Sequence, residues 1–287
     1  MNADWPTQRY LDQWLGMVYE VVYQYEPDML WFDIAFDGRK CIRPEYQQRM
    51  FADYYNWAVT HARSVCVGHK ERAILPYTGI LDYERGRSEV LMPAPWMTDT
   101  TISRSWFYQP KWDGQWKDAN WIIDLLIDIV SKNGVMMLNV AFKSDGTLIE
   151  EGAAELENIG NWLRLNGEAI YNTRPWKVYG EPHKPLSERH GRGDEQEKVV
   201  YFSEDVRFTR SKDGKTVYAI LLGWPGNGET ATIRAMNEND FPEMIEDVKL
   251  IGYYGKIRWQ KTSGGLKLQM PHKKPCDYAY CFKLELK

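Results

Sequence analysis

Apolar residues recur at helical spacing through residues 10–24, YLDQWLGMVYEVVYQ: Leu11, Trp14, Leu15, Val18, Val21 and Val22 form one stripe, and Pro27 stops the run. Directly after it, MLWFD reads as a short buried strand. The same grammar then repeats. A helical stretch over about 45–62 leads into SVCVG (Ser64–Gly68), a second strand, and GILDYE (Gly79–Glu84) forms a third. DANWIIDLLIDIVSKNG predicts a strongly amphipathic helix ending at Gly134, VMMLNVAF a strand, and residues 150–166 a helix closed by Asn166 and Gly167. Short apolar strands alternating with helices predict parallel βα units.

Past Trp176 the pattern changes. EPHKPLSERHGRGDEQEK is polar and punctuated by Pro and Gly, as a linker or mobile loop is. From Val199 onward, β-rich runs (TVYAILLGW, TATIRAM, DVKLIGYYG, LKLQM, YAYCFKLEL) recur between turn signals, the spacing of an antiparallel sandwich. The expected fold is therefore α/β followed by all-β: a βα domain over 1–176, a linker or mobile loop over 177–198, and a β-sandwich over 199–287.

Charge narrows the function. With 36 basic and 40 acidic residues and a net charge of −4, the chain has no basic stripe to track phosphates, which argues against a nucleic-acid partner. No apolar run approaches the roughly 18 residues of a membrane span, and MNADWPTQRY lacks the basic start and apolar middle of a signal peptide. The four cysteines show neither zinc-type pairing nor disulfide density, and Cys41 and Cys66 read as core thiols. Aromatic residues are abundant, with 13 Trp and 18 Tyr; they suit either stacking on sugar rings or filling a large core.

In parallel βα architectures catalytic groups stand at the carboxyl ends of strands. Asp33 follows MLWF at such a position, where it is either a site residue or a turn cap, whereas Asp37 before Gly38 reads as a turn acid. A second acidic group lies where the third predicted strand runs out: Asp82, Glu84 and Glu89, beside Arg85 and Arg87. Carboxyl groups from two strands facing one cavity would suit glycosidic cleavage, one attacking or stabilising the anomeric carbon and the other protonating the leaving oxygen. Salt bridges from Glu84 and Glu89 to the neighbouring arginines are the plainer alternative.

YEPDMLWFD resembles the nucleophile segment of the glycoside hydrolase family 29 α-L-fucosidases. The likeness continues in order through LDYERGR, WMTDTTISRSWFY, LIDIVSKNGVMMLNVAFKSDG, IGNWLRLNGEAIYNTRPW and a β-sandwich containing DVRFT. The resemblance implies that Asp33 is the nucleophile and that Trp31 packs against the sugar. The family's usual acid/base register, Asp-aromatic-x-x-x-Glu, lands here on Arg87, so Glu84 of the ERG variant is the candidate acid/base and Glu89 the fallback. Many members read Trp-Glu where this chain has Trp96 and Met97, and Asn-Asp-Arg where it has Gly68, His69 and Lys70. Lys70 then either binds a sugar hydroxyl or a catalytic carboxylate, as a point donor in place of a planar fork, or lies on the surface. His69 reads as a packed histidine, Trp96 and Trp106 as sugar platforms, and Trp106 equally as core.

A complete eight-unit barrel takes about 250 residues, and the family's strands preceding the nucleophile have no counterpart in this sequence. The resemblance thus implies the later strands of a (β/α)8 TIM-type barrel followed by the sandwich, completed by a further segment, by a homo-oligomeric copy or by a second chain. It implies a retaining exo-acting hydrolase of terminal α-L-fucosyl linkages in oligosaccharides or polysaccharides, no metal or organic cofactor, and a secreted or periplasmic setting. A noncatalytic carbohydrate-binding or scaffold protein and an α-L-galactosidase are the alternatives.

Overall fold

Thr7 opens the first helix, its Oγ1 accepting the Tyr10 N–H at 3.3 Å, and α1 runs Gln8–Tyr25 with Leu11, Leu15, Val18 and Val22 buried along one face. Glu26, in a left-handed conformation at φ 48°, closes it by an N–H bond to Val22 O. The computed structural model describes residues 6–33, 42–70, 78–112, 115–182 and 199–287. Asp37, Cys41 and residues 183–198 of the expected linker lie outside them.

The βα pattern continues through β1 (Met29–Phe32), α2 (Pro44–Thr60), β2 (Cys66–Lys70), β3 (Ile80–Asp82), β4 (Trp96–Thr101), α3 (Ala119–Ser131), β5 (Gly134–Asn139) and α4 (Glu150–Asn166). The strands form one sheet in the order β1-β2-β3-β4-β5, and the pairings β1–β2, β2–β3 and β3–β4 are parallel. This is a five-stranded part of a TIM-type barrel wall. Some bounds differ from the expectation: α3 stops at Ser131, short of Gly134, where β5 begins, and β3 is confined to Ile80–Asp82. β2 begins and ends two residues later than predicted, which puts Lys70 at its last position; β4 was not predicted, because WMTDTT is mostly polar although all six residues are buried.

The chain divides into two compact units: Met1–Glu84 with Pro95–Asp99, and Arg85–Ala94 with Thr100–Lys287. In the first, the apolar faces of α1 and α2 pack with Leu30 and Val67. The second holds α3, β5, α4 and the antiparallel strands β6 (Thr173–Glu181), β7 (Val206–Ser211), β8 (Thr216–Leu221), β9 (Thr230–Ile233), β10 (Ile245–Leu250), β11 (Trp259–Thr262), β12 (Gly265–Gln269) and β13 (Tyr280–Leu286). Residues 177–181, expected as linker, belong to β6, which pairs with β7 in the sheet β10-β13-β8-β7-β6. A three-stranded sheet, β11-β12-β9, packs on it through Phe208, Ala219, Phe282, Ile233, Leu266 and Leu268.

The opposite face of the larger sheet covers α3 and α4, with Ile220 and Cys281 against Ile122, Ile123 and Trp162. A buried ionic cluster crosses this contact. Asp128 of α3 receives Lys132 Nζ at 2.8 Å and Arg207 Nε, from β7, at 2.7 Å, and all three side chains are fully buried. Burial alone would raise the Asp128 pKa, but the two cations outweigh it and hold the carboxyl well below the usual range. A carboxyl depressed in the folded state stabilises the fold above the unfolded pKa, about 3.9, and that contribution is lost as pH falls below it. Asp128→Asn should lower stability by about 3–5 kcal/mol at pH 7, since it leaves two buried cations without their anion. Urea denaturation should show that deficit shrinking as pH is lowered through 4.

Candidate active site

Parallel pairing brings the carboxyl ends of the strands into step. Phe32 lies opposite His69, Lys70 opposite Asp82, and Asp82 opposite Met97. Asp33, just past β1, Lys70, at the end of β2, Glu84, two residues past β3, and Asp99, within β4, therefore come to one end of the sheet. Period-two alternation puts Trp31 and Asp33 on one face, along with Gly68 and Lys70 of β2. Gly68 leaves room for the indole: a Cβ there would stand 2.8 Å from Trp31 Cδ1.

Lys70 is the hub. Its Nζ lies 3.0 Å from Asp33 Oδ1, 3.0 Å from Glu84 Oε2 and 3.1 Å from Asp99 Oδ2. It also stands 5.3 Å from the centre of the Trp31 ring. Partial burial disfavours the ammonium, but hydrogen bonds to Asp33, Glu84 and Asp99 outweigh that and raise the lysine pKa. The carboxylates differ in setting: the Asp33 and Glu84 side chains are about half exposed, whereas that of Asp99 is only 5% exposed. Asp99 Oδ1 is buried without a hydrogen-bond partner among the described residues, so the charge on Asp99 leans on Lys70. Two oxygens each 3.0 Å from one nitrogen stand no more than about 6 Å apart, which bounds the distance between Asp33 Oδ1 and Glu84 Oε2.

A fourth carboxyl supports these. Asp82 is buried, its Oδ2 accepting Trp31 Nε1–H at 2.9 Å and its Oδ1 the Asp99 N–H at 3.0 Å. Burial, with the nearby charge of Asp99, pushes its pKa up to about 6, against the lowering effect of both hydrogen bonds and of Lys70. Asp82 thereby orients the indole beneath Lys70.

Residues 1–168 match the family model for alpha-L-fucosidase, and residues 200–285 match that for the alpha-L-fucosidase C-terminal domain. The chain belongs to the α-L-fucosidase family, glycoside hydrolase family 29. It is 26% identical over 291 residues to an alpha-L-fucosidase of Branchiostoma floridae, covering 98% of this chain and 59% of that one. It is 27% identical over 290 residues to the human plasma alpha-L-fucosidase, covering 94% and 54%. The chain thus spans little more than half the length of the curated relatives it matches. Among solved structures, the Thermotoga maritima alpha-fucosidase in complex with a mechanism-based inhibitor superposes with a TM-score of 0.74 at 24% identity, over 97% of this chain and 57% of that one.

Within this fucosidase fold the residues singled out from sequence separate into groups. Asp33, Glu84, Lys70 and Trp31 come together in the first unit. Trp96, expected as a sugar platform, is 1% exposed and packs edge-on to Tyr83, so it presents no face to a ligand. Trp106 is half-buried in the second unit, with the Arg85 guanidinium 4.7 Å above its ring. Glu89 is exposed, also in the second unit. Arg87, near it, donates to Tyr201 Oη at 3.0 Å. Sequence reasoning missed Asp99 altogether and named Asp82 without giving it a role. The signal for Asp99 was an acid in a Thr-rich run bounded by Pro93 and Pro95, which reads as a strand only once burial is known.

Ionising Asp82 opposes folding between pH 4 and 6, because its folded pKa lies above the unfolded value, and its protonated form weakens as an acceptor. The Trp31 indole N–H proton resonance should therefore move upfield as pH falls, with a midpoint near 6, and Asp82→Asn should abolish that titration.

Proposed function

We propose that this chain carries the nucleophile and the acid/base of a retaining, exo-acting α-L-fucosidase that hydrolyses terminal α-L-fucosyl linkages of oligosaccharides or polysaccharides. The observation that carries the reading is the pairing of Asp33 and Glu84 across Lys70, with Asp33 Oδ1 and Glu84 Oε2 no more than about 6 Å apart. Retaining glycosidases hold their two carboxyl groups about 5–5.5 Å apart, whereas inverting enzymes need about 6.5–9.5 Å to admit a water molecule. The family match and the likeness to an enzyme solved with a mechanism-based inhibitor support the same chemistry.

In this reading Asp33 attacks the anomeric carbon through an oxocarbenium-like transition state, forming a glycosyl ester while the bond to the leaving oxygen breaks. The leaving oxygen takes the place of Lys70 beside Glu84, and Glu84, having taken up a proton from solvent as that ion pair opens, passes it to the oxygen. Glu84 then removes a proton from water, which attacks the ester and frees Asp33. Lys70, 3.0 Å from Asp33 Oδ1, holds that carboxylate in place before attack and stabilises it again as it departs. Trp31, fixed by Asp82, lies against the sugar. Full activity on this reading needs the rest of the barrel wall beyond these five strands, supplied in the same polypeptide or by a second chain.

The test uses a protein carrying the whole barrel. Asp33→Ala should abolish turnover of even an activated aryl fucoside, and azide should restore it by occupying the vacated space. Glu84→Ala should slow substrates with poor leaving groups at least about a hundredfold more than those with acidic phenols, because a general acid matters most when the leaving group is poor. Glu89→Ala should affect both types mildly and alike. Near-normal rates for Asp33→Ala would end the proposal, and the leaving-group split appearing in Glu89→Ala would transfer the acid role to Glu89.

A further inference from the structure

Within the second unit, the edge of the sandwich carries a cleft of about 640 Å³ bounded by β10, β11 and the IGYYGK loop that joins them. Its aromatic residues are unusually displayed. Tyr254 has a relative exposure of 106%, so none of its ring is covered by protein. Tyr253 beside it is 36% exposed and folds back over Gly255, where any side chain would collide with the phenol. Trp259 lies half-buried on β11, its inner part packed on the sandwich core. A loop that holds one tyrosine down against a glycine and the next one out exposes apolar ring surface that folding alone would cover.

The charges in the cleft select the class of ligand. Lys283 Nζ is 2.8 Å from Glu168 Oε2, and Lys249 Nζ is 3.3 Å from Asp247 Oδ2 and 3.0 Å from Glu285 Oε1. With Lys249 and Lys283 paired and Lys256 also on the cleft wall, the net field is weak for a polyanion, while the carboxylates keep lone pairs and the ammonium groups N–H donors available to hydroxyls. Aromatic faces between paired polar groups suit a neutral polyhydroxylated ligand whose C–H faces stack while its edges hydrogen-bond.

We propose that this cleft is a carbohydrate-binding site, with Tyr254 and Trp259 as stacking surfaces for a neutral saccharide chain. It shares no residue with the carboxylate group at Lys70 and does not depend on its catalytic reading. A site of this kind would hold the polysaccharide on the C-terminal unit, independently of cleavage.

Native affinity electrophoresis of the 287-residue chain in gels containing a neutral, fucosylated xyloglucan tests it. The chain should be retarded, Tyr254→Ala should weaken the apparent affinity at least about tenfold with an unchanged thermal midpoint, and Trp259→Ala should weaken it further. Because Tyr254 is uncovered, its loss does not disturb packing, so a folded but unretarded variant is interpretable. Asp33→Ala should be retarded like the parent chain, separating this cleft from the catalytic carboxylates. No retardation of the parent, retardation indifferent to Tyr254→Ala, or retention only on a sulfated polyanion would overturn the proposal.

Discussion

One ammonium group organises the chemistry of this chain. Lys70 draws Asp33, Glu84 and Asp99 from three strand ends onto a single nitrogen. Three carboxylates converging at one end of a sheet would repel one another, and Asp99, nearly buried, would face a large desolvation cost. The lysine offsets both. Its position follows from register: β2 ends at Lys70, between the strands that end near Asp33 and Glu84, so its side chain reaches both neighbours.

Beneath this hub the support is equally local. Gly68 admits the Trp31 ring, Trp31 donates to Asp82, and Asp82 accepts the backbone N–H of Asp99. Lys70 stands above the same ring. The site is thus fixed by a short circuit of contacts among β1, β2, β3 and β4. The ionic cluster at Asp128 is a different use of charge: fully buried, and joining α3 to β7 within the second unit.

Much of this was legible in the sequence. The helical stripes located α1 to α4, α4 at its observed bounds, and Asp33 at the end of MLWF marked a strand-end acid. What stayed hidden shares a cause: it depends on partners distant in the chain. Glu84 was weighed against its neighbours Arg85 and Arg87, yet it meets Lys70, 14 residues back, through strand pairing. β4 escaped notice because its polar residues are buried by their surroundings and carry no apolar alternation. Trp96 looked like a platform because composition cannot tell a ring at the surface from one packed on Tyr83. The residues 177–181, flanked by polar sequence, became strand only through pairing with β7.

Carboxylates, and not burial, dominate at Lys70. Burial alone would lower the lysine pKa, and the three carboxylates raise it. The two effects have opposite signs, so a titration decides between them. In the folded chain, the Lys70 Nζ resonance, assigned by its loss in Lys70→Arg, should remain that of an ammonium through about pH 11, past the ordinary lysine value of about 10.4. Deprotonation at or below the ordinary value would contradict the account, since the three carboxylates would not then be gathered on Lys70.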